Sequence, residues 1–172
     1  DLNARWQERL GEPMAVGIGI NTGMARVGNT GSSRKFKYGP LGDTVNVASR
    51  VQGSSKYFKA NLLLTKATRD RLGPEFHVRR LGKTRVINIA SPIELYELWP
   101  PSEPGAVEFC SAYEEALAAF EAGEFRAAAR ILGRLVNSRP DDGPSFALLA
   151  RAIACIVEEP EKFDPAFRLP GK

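Results

Sequence analysis

The feature that most constrains this chain is a change of period at Pro100-Pro101-Ser102-Glu103-Pro104-Gly105. Before it, short apolar runs alternate with helical patterns; beyond it, every apolar pattern has the spacing of a helix face. Three prolines and a glycine in six residues suit neither a helix interior nor a central strand, so the stretch reads as a linker. Charge divides at the same place. Residues 1–100 carry a net +8 and residues 101–172 a net −4, which together make the +4 of the chain. A basic unit joined to an acidic one points to two modules, with the basic one suited to an anion. The plainer alternative is that those cations only solvate a surface.

Upstream of the linker, Leu2, Trp6 and Leu10 mark a helix face stopped by Gly11 and Pro13, and Met14 to Ile20 reads as a buried strand. Asn21-Thr22-Gly23 turns the chain, Met24 to Gly28 is a return strand, and Gly28 to Ser33 a flexible turn. Arg34-Lys35-Phe36-Lys37-Tyr38 alternates basic and aromatic residues. A helix is expected from Asp43 or Thr44 to Phe58, with either residue suited to its N-cap. Asn61 to Thr65 reads as a strand and Lys66 to Leu72 as a short helix closed by Gly73-Pro74. Phe76–Leu81, Thr84–Ile89 and Ile93–Leu98 complete the strand set, which predicts an α/β or α+β sandwich, a sheet with helices on its faces.

Downstream, Tyr113, Ala116, Leu117 and Phe120 mark one helix face, and Phe125, Ala128, Ala129, Leu132 and Leu135 a second after Gly123. Pro144 to Val157 supplies a third helix. Tyr113 to Pro140 resembles a single tetratricopeptide repeat: helix, Gly turn, aromatic, Ala-rich helix, terminal Pro. A lone repeat cannot bury its own face, so the alternative is an amphipathic hairpin packed on the first unit. The expected division is 1–99, a linker at 100–107, helices over 108–158 and an extension at 159–172.

An apolar content of 43% with 26% charge excludes a disordered, collagen-like or disulfide-scaffold chain. No apolar run approaches the roughly 20 residues that span a bilayer. Cys110 and Cys155 lack metal-ligand spacing and read as core residues; His77 has no neighbour with which to share a metal. The chain opens on Asp1, not Met, and reads as starting inside a longer one, so the lack of a signal peptide carries no weight.

The most informative segment is Tyr38-Gly39-Pro40-Leu41-Gly42-Asp43-Thr44-Val45-Asn46-Val47-Ala48-Ser49-Arg50. In a helix starting near Thr44, Val47, Ala48 and Val51 face the sheet, while Asn46 and Arg50, four apart, project side by side elsewhere. A guanidinium offers planar, multi-donor contacts to phosphate, and an amide can orient a sugar or a reacting hydroxyl. Taken bare, such a pair is most often an exposed polar face. Two further segments give it context: Gly17-Ile18-Gly19-Ile20-Asn21-Thr22-Gly23 and Val27-Gly28-Asn29-Thr30-Gly31.

In this order and spacing the three segments resemble the C-terminal part of the catalytic domain of class III nucleotidyl cyclases, the adenylate and guanylate cyclases. The resemblance covers about residues 1–98 and ends on a closing strand at Pro92 to Leu98. Gly17-Ile18-Gly19 by itself is no dinucleotide fingerprint, since no third glycine opens a helix at the needed spacing. The resemblance implies a ferredoxin-like cyclase sandwich, here partial, and a reaction in which the ribose 3′-hydroxyl of a nucleoside triphosphate attacks its α-phosphate while pyrophosphate leaves. It implies two Mg or Mn ions, and a homodimer whose partners complete each other's site. Asn46 would orient the ribose and Arg50 would stabilise charge on the α-phosphate. Gly39, Gly42, Asp43, Thr44 and Arg85 are the further residues expected at the nucleotide.

Three departures accompany the resemblance. The metal-binding aspartates and the base-recognising lysine belong to a half expected before Asp1. The second base-recognising position falls at Gly39, which has no side chain. The lysine that meets the triphosphate falls at Ile87 or Asn88, with Arg85 or Lys83 as substitutes. ATP is the expected nucleotide because adenylate cyclase is the commoner activity, with guanylate cyclase as the alternative. Arg34, Lys35 and Lys37 either help hold phosphate or solvate a hairpin; without a stacking platform or recognition helix, no nucleic-acid partner is expected. A cytoplasmic catalytic domain is implied, in a longer protein that some relatives anchor in a membrane. A reading of another class is a non-catalytic cyclase-like scaffold whose helical tail binds a protein.

Overall fold

In a computed structural model, which describes residues 2–11, 15–32, 34–87, 89–100 and 102–169, two glycines decide how the main helix meets the sheet. Helix α1 (Leu2–Leu10) leads to strand β1 (Ile18–Ile20), against which α2 (Asp43–Phe58) packs. A Cβ on Gly19 would lie 2.2 Å from the Gln52 backbone nitrogen, and one on Gly17 2.1 Å from the Ser55 hydroxyl oxygen. Bare backbone at both positions lets the helix lie this close, and Val51 and Phe58 fall into the core beneath it. Gly19→Ala is expected to push the helix outward and cost about 1–3 kcal/mol, read as a lower midpoint in urea or thermal unfolding.

Between β1 and α2, strands β2 (Arg26–Ser32) and β3 (Lys35–Leu41) form a separate antiparallel hairpin. After α2 come β4 (Leu62–Thr65), the one-turn helix α3 (Lys66–Arg69), β5 (His77–Arg85) and β6 (Ile93–Trp99). Helices α4 (Ala106–Glu121), α5 (Phe125–Ser138) and α6 (Gly143–Glu158) follow, then a two-residue strand β7 (Phe167–Arg168). The main sheet runs β1-β4-β6-β5-β7, so the overall class is α+β as expected. β6 is antiparallel to β4 and β5, while β1 pairs in parallel with β4 and β7 with β5. Strands β1, β4, β5 and β7 therefore all point the same way.

Several boundaries differ from expectation. Phe76–Leu81 and Thr84–Ile89 are not two strands: β5 runs through from His77 to Arg85, absorbing a register shift between Arg80 and Gly82. Gly82 takes φ +101°, open to glycine at little cost, and beyond the strand Ile89 N–H donates to the Val86 carbonyl. The return strand is Arg26–Ser32, not Met24–Gly28; the hairpin turn lies beyond it, and the basic-aromatic alternation becomes β3. The expected first strand is strand only over Ile18–Ile20, and Met14 lies outside the described residues. α2 begins at Asp43, but its N-cap is Gly42 at φ +118° with no side-chain cap. The Thr44 hydroxyl donates instead to the Met24 carbonyl at 2.5 Å.

The tail helices share the sheet's core. Leu63, Leu81 and Leu95 from the strands are buried in one cluster with Tyr113, Leu117 and Phe120 of α4. The Pro-rich stretch is held in this arrangement: Arg139 at the end of α5 donates to Glu103 and to the Pro104 carbonyl, both at 2.7 Å. Pro101 lies outside the described residues. Arg79, fully buried on β5, donates from Nη1 to Asp142 at 2.9 Å, from Nη2 to Asp142 at 2.7 Å, and from Nε to Glu97 at 3.0 Å. Its guanidinium carbon lies 4.7 Å from the Tyr113 ring centroid and 5.0 Å from that of Trp99, so aromatic faces cover what the carboxylates do not. Asp142 also caps α6, accepting from Ser145 N–H at 3.0 Å. Cys110 is buried, which pushes its thiol up to about 11, and Cys155 is half-buried.

Candidate active site

Because α2 carries the chain from β1 over to the parallel strand β4, its N-terminus lies at the C-terminal ends of β1 and β4. Ligands of open α/β sheets gather at that end, where loops and helix N-termini meet. A polar network fixes it. Asn21, just past β1, donates to the Thr44 carbonyl at 3.0 Å and accepts from the Thr65 hydroxyl at 2.7 Å. Thr22 and Thr68 share a hydrogen bond at 3.0 Å, and Thr68 lies within 3.5 Å of Thr65. Thus the first turn of α2 is tied to the ends of two strands through side chains that are all spoken for.

Asn46 and Arg50 are different. Asn46 is exposed and Arg50 half-buried on α2, and among the described residues neither side chain has a hydrogen-bond or ion-pair partner. A rigid seat with an unengaged amide and guanidinium one turn apart suits a ligand that offers both hydroxyl and anionic oxygens. A family model described as "Adenylate and Guanylate cyclase catalytic domain" matches residues 2–98, more than half of the chain. The chain belongs to this cyclase family.

The relatives agree. The "Adenylate cyclase 1" of Rhizobium meliloti is 34% identical over 81 residues, covering 47% of this chain and 12% of its own. The "Adenylate cyclase" of Anabaena cylindrica is 35% identical over 88 residues, covering 49% and 18%. The crystal structure of the adenylyl cyclase CyaB from P. aeruginosa matches with a TM-score of 0.50 and 29% identity over 58% of this chain and 51% of that one. The chain thus spans under a fifth of the length of these two curated relatives and about half of the CyaB chain.

The remaining expected residues of the cyclase site divide into two groups. Gly42, Asp43 and Thr44 sit at the N-terminus of α2 beside Asn46, with Asp43 exposed in the first turn. Gly39 lies on β3, register-paired with Gly28, and a Cβ there would meet nothing within 4 Å, so a larger side chain has room. Arg85 ends β5, three strand positions from β1, so about 14 Å across the sheet at roughly 4.8 Å per step. It is not free: its Nε donates to Asp164 at 3.0 Å. Lys83 is exposed and register-paired with Glu94, Ile87 is exposed, and Asn88 lies outside the described residues. Sequence reasoning missed Thr65 and Thr68, whose signal was only two threonines three apart at a strand-to-helix junction, and read Asn21-Thr22-Gly23 as a turn within a family segment without its tie to α2.

Proposed function

We propose that this chain is the C-terminal part of the catalytic domain of an adenylate cyclase, which converts ATP to cyclic AMP and pyrophosphate. The observation that carries the reading is the unengaged Asn46–Arg50 pair on a helix anchored to the β1 and β4 ends by Asn21 and Thr65. Asn46 holds the ribose so that its 3′-oxygen lies in line with the α-phosphorus. Arg50 gives N–H donors to the non-bridging α-phosphate oxygens, where negative charge builds as the new bond forms and pyrophosphate leaves. Adenylate specificity follows the relatives named above, with guanylate cyclase as the alternative; Gly39 offers no side chain with which to read a purine.

The site is proposed to be completed by a second copy. The β2–β3 hairpin supports this, since a two-stranded ribbon is marginal alone and Phe36 and Tyr38 are 68% and 69% exposed on it. Among the described residues no three of His, Cys, Asp and Glu gather as a metal site. The described residues therefore do not fit as the holder of two Mg or Mn ions, whose ligands are proposed to precede Asp1. Residues 1–172 alone are accordingly expected to make no cyclic nucleotide from ATP or GTP with Mg or Mn. Measurable turnover by the purified segment would sink that expectation.

A second reading is favoured by Gly39 and Ile87, which stand where base-reading and triphosphate-binding side chains are expected: a cyclase-like regulatory module with a protein-binding, tetratricopeptide-like tail. Assay of the full-length protein separates the two, since a regulatory module would be inactive with every nucleotide. Among the described residues no helix is long and apolar enough to cross a membrane, and a cytoplasmic location is part of the proposal.

A further inference from the structure

The last helix of the tail meets the far end of the helix that carries Asn46 and Arg50. α2 ends at Phe58, and Lys59 leaves it at φ +51°, a left-handed conformation. α6 starts at Gly143 directly against this end. A Cβ on Gly143 would overlap the Phe58 carbonyl oxygen and lie 2.5 Å from the Lys59 Cβ. The negative end of one helix dipole thus faces the positive end of another, and bare backbone at Gly143 lets them come this near.

Both sides of this contact are held from behind. Asp142, next to Gly143, takes two hydrogen bonds from the fully buried Arg79 of β5 and caps α6. Phe58 is fully buried and meets Phe167 of β7 edge-on at 5.0 Å, and Tyr57 meets the same ring at 6.1 Å. Arg151 of α6 fixes Phe167 in turn. Its guanidinium carbon lies 4.5 Å from the ring centroid, and it donates to the Asp164 and Pro165 carbonyls at 2.9 Å and 2.8 Å. The C-terminal end of α2 is therefore gripped by α6 and β7, while Asn21 ties its first turn through the Thr44 carbonyl.

A helix pinned at one end is a lever. At 1.5 Å per residue, Asn46 stands about 3 Å from the Thr44 tie, Arg50 about 9 Å and Phe58 about 21 Å. The Gly19 contact blocks α2 from moving inward against β1, but a contact of that kind does not stop it swinging away. We propose that the tail, through Gly143 and Phe167, holds the far end of this lever and so sets where Arg50 lies over the nucleotide. Both are positioning residues that act through α2, and Asn46, beside the pivot, is hardly affected. The role of Arg50 rests on the cyclase reading; the clamp on α2 does not. An added methyl at Gly143 has to open the Lys59 Cβ separation from 2.5 Å to about 3.5 Å. Scaled along the lever, that moves Arg50 by about 0.4 Å, and misplacement by about 1 Å can cost about 10²-fold in rate.

The test is a double-mutant cycle on the full-length protein, read as cyclic AMP formed from ATP well below the unfolding midpoint of every variant. Gly143→Ala is expected to lower kcat about five- to tenfold with KM nearly unchanged. In an Arg50→Ala background it is expected to add no loss, because the group it displaces is gone. Leu132→Ala, which opens a cavity in the tail core on α5, is expected to lower stability and leave kcat unchanged. An unchanged kcat in Gly143→Ala, equal losses with and without Arg50, or the same loss in Leu132→Ala overturns the positioning role. Should Gly143→Ala not fold, Phe167→Leu carries the same cycle. A full-length protein that makes no cyclic nucleotide overturns the cyclase reading instead, and hydrogen exchange then decides the clamp. Faster exchange of the α2 amides over 54–58 in Gly143→Ala than in Leu132→Ala supports it, and equal exchange overturns it.

Discussion

Arg50→Ala in the full-length protein is expected to lower kcat by about 10²–10³-fold while leaving KM nearly unchanged, measured as cyclic AMP formed from ATP. The size follows from where the charge appears. In the ground state the α-phosphate carries a single negative charge shared over its oxygens; in the transition state bond-making and bond-breaking load those oxygens further. A guanidinium already held on a fixed helix meets that extra charge without reorganising, and such donors are worth about 3–4 kcal/mol. The proposed role has a fixed seat, because Asn21 and Thr65 hold the first turn of α2, one turn before Arg50, and Gly19 brings the helix body against β1. Arg50→Lys is expected to recover only part of the rate, since an ammonium keeps the charge but loses the planar fork. An unchanged kcat in Arg50→Ala would remove the residue from the chemistry.

The second large effect concerns stability. Arg79→Ala is expected to cost about 3–5 kcal/mol in urea unfolding, because it strands two largely buried carboxylates, Glu97 and Asp142, around a fully buried position. Asp142→Ala is expected to be comparably harmful, since it also uncaps α6. The transition should remain single when followed by tryptophan fluorescence and by circular dichroism, because sheet and tail share one core. Two separated transitions would show that the tail folds independently. Acid should act on the same contact. Burial alone would raise the Asp142 carboxyl, but the hydrogen bonds and charge of Arg79 outweigh it and hold it below its ordinary 3.8. That contribution is complete above about pH 4 and is lost as pH falls further.

Where local pattern and tertiary packing asked for the same thing, the elements were legible. α2 was bounded correctly by its turn signals and apolar spacing, and the three tail helices by Gly123 and Pro140. The hairpin and β5 were misread because glycine was taken as a strand breaker. Gly28 sits inside β2, and Gly82 carries a register shift within a strand that neighbours hold on both sides. β7 was invisible: two residues have no period, and Phe167 becomes strand only because β5 offers an edge and Phe58 a surface. In the candidate site, the spacing placed Asn46 and Arg50 one turn apart on α2, but a bare pair reads as an exposed polar face, and only the three-segment resemblance singled them out. The Asn21–Thr65 ties and the Arg85–Asp164 contact join residues 44 and 79 positions apart, and no local pattern encodes such pairs.

The Arg79–Asp142 contact spans 63 positions of chain, which gives it a consequence for synthesis. When β6 leaves the ribosome, Arg79 has Glu97 beside it, but Asp142 and the strand that will seal β5 have yet to be made. At roughly 5–20 residues per second that interval lasts several seconds. Throughout it the nascent sheet holds a guanidinium short of two of its hydrogen bonds and an open edge, so this unit cannot reach its final state until α6 has emerged. A chain released early, short of residue 142, is expected to be a substrate for chaperones and proteases, and such truncated sheets would not accumulate beside chains that carry α6.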